Sequence, residues 1–180
     1  ALNATIILCA LVGHSHGAIT PQGGEFPLVG DIAGHQQHPS VALHREGGLV
    51  AWQNATVDSG GERVVVQALG ADYRGVGAPQ VVSQNITGQN DLNPAVAALP
   101  EGRSVVVWES GPRSSQDIFI RFLDAQGQFQ TDIQPVNSFQ AGVQSDAAVS
   151  ALANGNVLVV WASDGQDGSG EGIYGQRFSE

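Results

Sequence analysis

The sequence predicts an all-β protein of three four-stranded antiparallel repeat units, and three observations carry that prediction. The first is a motif that occurs three times: Pro39-Ser-Val-Ala-Leu43 then Leu49-Val-Ala-Trp52, Pro94-Ala-Val-Ala-Ala-Leu99 then Val105-Val-Val-Trp108, and Ala147-Ala-Val-Ser-Ala-Leu152 then Leu158-Val-Val-Trp161. In each copy the Leu precedes the Trp by nine residues, with Gly47-Gly48, Gly102 or Asn154-Gly155 in the turn between. Two short runs of branched apolar residues around a Gly-bearing turn form a β-hairpin. The second observation is the spacing of about 53 residues between copies, which marks a repeat architecture. The third is composition: 24 Gly and 8 Pro are spread along the chain, and no window sustains helical apolar spacing without one of them interrupting it.

Taken in order, the chain opens with an apolar segment, residues 1–18, whose centre is Thr5, Ile6, Ile7, Leu8, Cys9, Ala10, Leu11 and Val12. This run is too short to span a bilayer, which needs about 20 apolar residues. It is expected to be an ordered extra strand, packed on its own sheet or added to the sheet edge of a neighbouring copy. A remnant of a signal peptide is the third reading, weakened by the lack of an initiating Met and of a basic stretch before the apolar run.

Residues 19–180 form a single β-repeat domain with units at about 25–70, 78–124 and 133–178. Each unit is expected to begin with a short strand (25–29, 78–82, 133–136), followed by a polar loop (34–38, 88–93, 142–146), the hairpin, and a last strand (64–69, 118–123, 173–178). Four antiparallel strands are the content of one β-propeller blade, but propellers usually have four to eight blades. A compact triangle of three blades, a ring completed by another chain and a stack of units therefore all remain open.

The net charge is −10 and every fixed positive charge is an Arg, because the chain has no Lys. An acidic chain without basic clusters is a poor partner for nucleic acid and for anionic membranes. With one cysteine, Cys9, no internal disulfide supports the fold.

In the third unit, Trp161-Ala-Ser-Asp-Gly-Gln-Asp-Gly-Ser-Gly-Glu-Gly-Ile-Tyr-Gly-Gln-Arg-Phe178, together with Pro135-Val-Asn137 and Gln144, resembles a repeat of large secreted and cell-surface bacterial proteins. The resemblance extends over about residues 25–178 and weakens in the first two units, which lack the Gln-Asp-Gly loop and the Tyr-Gly-Gln-Arg-Phe ending. It implies an extracellular, structural or adhesive role, and no enzymatic one.

Alternation places Trp52, Trp108 and Trp161, with Leu43, Leu99 and Leu152, on a core face. The competing reading, aromatics lining a sugar-binding face, fits less well at the end of Val-Val runs. Asp164, Asp167 and Glu171 lie in a Gly-rich loop and are the best cation candidates, calcium being the one cofactor worth naming, but their spacing does not match an EF-hand loop and a solvated acidic turn is the favoured reading. Asp58 and Glu62 hold the matching loop of the first unit, and Asp117 that of the second. His14, His16, His35 and His38 form two close pairs of the kind that can hold zinc, but the other units carry Gln, Asn and Asp where His35 and His38 stand. Asn3, Asn54 and Asn85 begin Asn-x-Thr sequons; Asn54 and Asn85 are the candidate glycosylation sites.

No Gly-x-Ser-x-Gly elbow, His-Glu-x-x-His pair or phosphate-cradling loop is present, and nothing in the linear order selects a pair of carboxylates. The sequence therefore reads as a non-enzymatic secreted structural protein: a self-assembling subunit of an extracellular filament or surface layer, joined through its N-terminal strand. The alternatives are a carbohydrate-binding or adhesive propeller-like module with glycans as partners, and a fragment of a larger surface protein.

Overall fold

A computed structural model describes residues 20–55, 61–83 and 89–179. Among the described residues eleven strands form three antiparallel sheets. The first contains β1 (His35–His44), β2 (Gly47–Ala55), β3 (Glu62–Leu69) and β4 (Gly75–Val81), in that order. The second contains β5 (Asn90–Ala98), β6 (Ser104–Gly111), β7 (Asp117–Leu123) and β8 (Gln134–Pro135), with a 3-10 turn at Pro100–Gly102 between its first two strands. The third contains β9 (Gln144–Ala151), β10 (Val157–Asp164) and β11 (Glu171–Phe178). The apolar segment 5–12, His14, His16, Asn3, Asp58 and Asn85 lie outside the described residues.

The units are cut one strand later than the sequence predicts. The run 78–82 contributes to β4, which pairs with β3 and so closes the first sheet; 133–136 contains β8, which pairs with β7 and closes the second. Residues 25–29 form no strand. The reason is connectivity: a short strand reached by a tight turn from the preceding one pairs back onto it as a meander. Two sheets thus have four strands and the third has three, in place of three fours.

The sheets stack face to face. Val106 and Trp108 of the second sheet pack on Leu49, Ala51, Val64 and Val66 of the first. The opposite face of the second sheet, with Val105, Val107, Ile118 and Ile120, receives Val157, Val159 and Trp161 of the third. A strand buried on both faces reads as an unbroken apolar run, which is why β6 carries Val105-Val-Val-Trp108. The equivalent Trp face of the first sheet, with Val50, Trp52 and Val65, is covered by Leu28, Val29 and Ile32. The three Trp residues are 2%, 1% and 6% exposed in chain order, so none presents a face to sugar.

Two of the motif leucines need correcting. Leu99 is buried, but Leu43 and Leu152 are 52% and 64% exposed. Leu43 lies five residues after His38, whereas Leu99 lies six after Asn93; with a side-chain period of two, that single residue turns Leu43 to the solvent side, over Gly48. Leu152 sits in the β9–β10 turn, its carbonyl accepting from the Gly155 N–H, next to a sheet face on which no described residue packs.

Candidate functional site

The three units repeat one irregularity. His38, Asn93 and Asp146 have φ of 50°, 47° and 53°, and each stands where the register of its strand pair shifts. A non-glycine residue in the left-handed region is uncommon, and His, Asn and Asp are among the side chains that tolerate it. A bulge at that point re-aims a side chain. Pro39, Pro94 and Ala147 follow directly, and these six residues line one open depression of about 370 Å³. Bulges in three strands distant in sequence therefore bring an imidazole, an amide and a carboxylate to one place.

Two of these residues bond to Glu109, 2% exposed and directly after Trp108 on β6. Its Oε2 accepts from Asn93 Nδ2 at 3.0 Å and its Oε1 from the Asp146 backbone N–H at 2.8 Å. Burial pushes its carboxyl above the ordinary value of 4.5; the Asn93 and Asp146 bonds pull the other way, the Asp146 charge adds to the rise and His38 opposes it. The net effect favours the protonated form relative to an exposed glutamate, and each oxygen keeps a lone pair beyond the bond already accepted.

A second buried carboxyl, Asp91, lies two residues before Asn93 on β5. Burial raises its pKa as well, against the pull of Ser110, Ser83, the Arg63 charge and Trp108. Its Oδ2 is 3.7 Å from Arg63 Nη1 and accepts no well-formed hydrogen bond, nor does the Trp108 indole N–H donate one. Asp91 joins the first sheet to the second rather than facing the depression.

The residues selected from sequence lie elsewhere, apart from His38. Asp164, Asp167 and Glu171 are exposed; Asp167 Oδ1 accepts from the Ser169 N–H at 3.0 Å, a turn-forming contact. Among the described residues no three of His, Cys, Asp and Glu are grouped to hold a metal ion. His35 and His38 are exposed on β1. Glu62 receives Arg113 at 2.7 Å, and Asp117 Oδ1 receives Asn137 Nδ2 at 2.6 Å. Asn54 Oδ1 accepts from Gln36 Nε2 at 3.0 Å. Sequence reasoning missed Glu109 and Asp146 because they are 37 residues apart on different sheets. The signal it contained was the polar residue set before each Pro-x-Val-Ala or Ala-x-Val run.

No family model and no curated protein matches the chain. Solved structures do. An endo-arabinase from Bacteroides thetaiotaomicron is similar with a TM-score of 0.50 and 13% identity, over 79% of this chain and 56% of its own. An α-L-arabinanase from Penicillium chrysogenum, complexed with arabinobiose, is similar with a TM-score of 0.52 and 15% identity, over 76% of this chain and 44% of its own. The chain thus spans about half the length of these structures. Both are five-bladed β-propellers, and at this identity the likeness establishes the fold: an all-β, β-propeller-like protein whose three sheets do not close into a ring.

This likeness corrects the functional reading of the sequence. A non-enzymatic filament subunit gives way, because the folds that the chain resembles belong to glycoside hydrolases. The physical reason for the error is that a missing linear motif says little in a propeller, where reacting groups are gathered from separate blades.

Proposed function

We propose that the chain is a carbohydrate-active domain that binds a glycan over His38, Asn93 and Asp146, with Glu109 as the proton donor for cleavage of a glycosidic bond. The observation that carries this is the buried Glu109 carboxyl, raised in pKa and bonded to Asn93 and to the Asp146 N–H, two of the residues that line the open depression. Glycoside hydrolysis uses two carboxyl groups with different tasks: one gives a proton to the leaving oxygen and the other meets the sugar or activates water. Glu109, buried, fits the first task, and Asp146, exposed beside it, fits the second. The imidazole of His38 and the amide of Asn93 supply polar contacts that a sugar's hydroxyls can use. The likeness to arabinanases supports arabinose polymers as the first substrates to try.

The test is release of reducing ends from arabinan and a panel of plant and bacterial polysaccharides, comparing the native chain with Glu109→Gln. Activity in the native chain that falls at least a hundredfold in the variant supports the reading. Binding to no polysaccharide, or equal activity in both, overturns it.

A further inference from the structure

We infer that the third sheet is a self-association surface, through which two copies of the chain pair antiparallel and face to face. Within the chain, each sheet receives the Trp face of the next on its opposite face. The second sheet offers Val105, Val107 and Ile118 to Trp161 in this way. The corresponding face of the third sheet carries Leu158, Val160 and Ile173. Nothing in the described residues packs on it: Leu158 is 45% exposed and Ile173 80%. A contiguous apolar sheet face in water marks an interaction site.

The charges on this face choose the occupant. Residues opposite one another on adjacent strands share a face, and the register pairs Asp164 with Glu171 at one end and Leu158 with Arg177 at the other. Six residues separate Leu158 from Asp164, about 20 Å of strand. One end is therefore acidic, the other basic and the middle apolar. When a second copy is laid on it with strands antiparallel, each Arg177 meets the partner's acidic end and the apolar residues cover each other. Parallel strands would set like charges together, which disfavours that arrangement. A foreign acidic or basic partner would satisfy one end of the face only. The pattern is self-complementary, as a two-fold interface requires.

Three strands of eight residues offer a surface of about 14 by 26 Å. Buried on both copies, this face falls below the roughly 1,200 Å² at which stable complexes begin, so the pairing is expected to be weak, transient and dependent on concentration.

Sedimentation velocity of the full chain over a concentration series tests this, with Arg177→Glu and the double variant Asp164→Arg/Glu171→Arg alongside. The native chain should pass from monomer to dimer. Each variant alone should dimerise at least tenfold more weakly, and an equimolar mixture of the two should recover dimer, because the reversed charges then face each other. All three residues are exposed, so the variants keep the fold, as far-UV circular dichroism will verify. A native chain that stays monomeric throughout, an Arg177→Glu variant that dimerises as well as the native chain, or a mixture that recovers nothing overturns the inference.

Discussion

The Asp146 backbone N–H donates to Glu109 Oε1 at 2.8 Å, and one unit earlier the Asn93 N–H points in the same way to Gln53 Oε1 at 3.4 Å. The residue after each of the first two Trp residues thus reaches the bulge of the following unit. In the first unit that residue is a neutral amide; in the second it is a carboxyl whose pKa burial raises. The third unit has Ala162 there and makes no such contact. Gln53 shows that the structural task can be performed without a charge, so the acid at Glu109 adds something besides the tether.

That acid should leave a mark on stability. Folding raises the Glu109 pKa, so the folded state holds its proton over a pH window in which the unfolded chain has released it. Its contribution is fully present below the unfolded value and is lost as pH rises through the folded one. Asp91 acts in the same direction. The expected outcome is a native chain whose unfolding free energy, measured by urea titration, declines from about pH 4.5 upward. In Glu109→Gln the decline should be shallower. The amide oxygen of that variant can still accept from the Asp146 N–H, and its nitrogen can donate to an Asn93 amide turned over, so the fold should persist.

Residues of the repeated motif should differ sharply in their energetic weight. Trp108 is 1% exposed and stacks on Phe119 with ring centroids 6.0 Å apart. Trp108→Ala is expected to cost about 3–5 kcal/mol, as large aromatic deletions from a core do. Leu152→Ala, at an exposed turn, is expected to change stability by about 0.5 kcal/mol or less. Urea denaturation of both variants measures the contrast.

Asn137 supplies a third prediction. Its Oδ1 accepts from the Ile118 N–H at 2.7 Å, and its Nδ2 donates to Asp117 Oδ1 and, at 2.9 Å, to the Phe139 carbonyl. It is buried just after β8, beside the start of β7, where it stands in for a strand partner of the Ile118 amide. Asn137→Ala leaves that donor unpaired and should cost about 1–3 kcal/mol. Faster hydrogen exchange at the Ile118 amide would locate the loss.

The three sheets were legible because the Leu-to-Trp spacing and the Val runs are local and repeated. Unit boundaries were not: the run 78–82 looks like the opening of a unit, and only pairing with β3 reveals that it closes the sheet before. Burial of Leu43 and Leu152 was misread for a related reason, since a one-residue offset after the bulge and an uncovered outer face leave no trace in a hydrophobic pattern. The site was half visible. His38, Asn93 and Asp146 stand at matching places, but their exchange of side-chain type reads as drift until the fold sets all three around one depression. Glu109 carried no signal, because one acid after a Trp looks like any strand end.

The central claim is that Glu109 serves a glycan bound over Asp146, and the most direct measurement is the pH profile of polysaccharide cleavage by the native chain beside Glu109→Gln. The native chain should lose activity as pH rises through the raised Glu109 value, while the variant still binds the glycan and cleaves it at least a hundredfold more slowly. Cleavage by Glu109→Gln at the native rate, or a native chain that neither binds nor cleaves any polysaccharide tested, would contradict it.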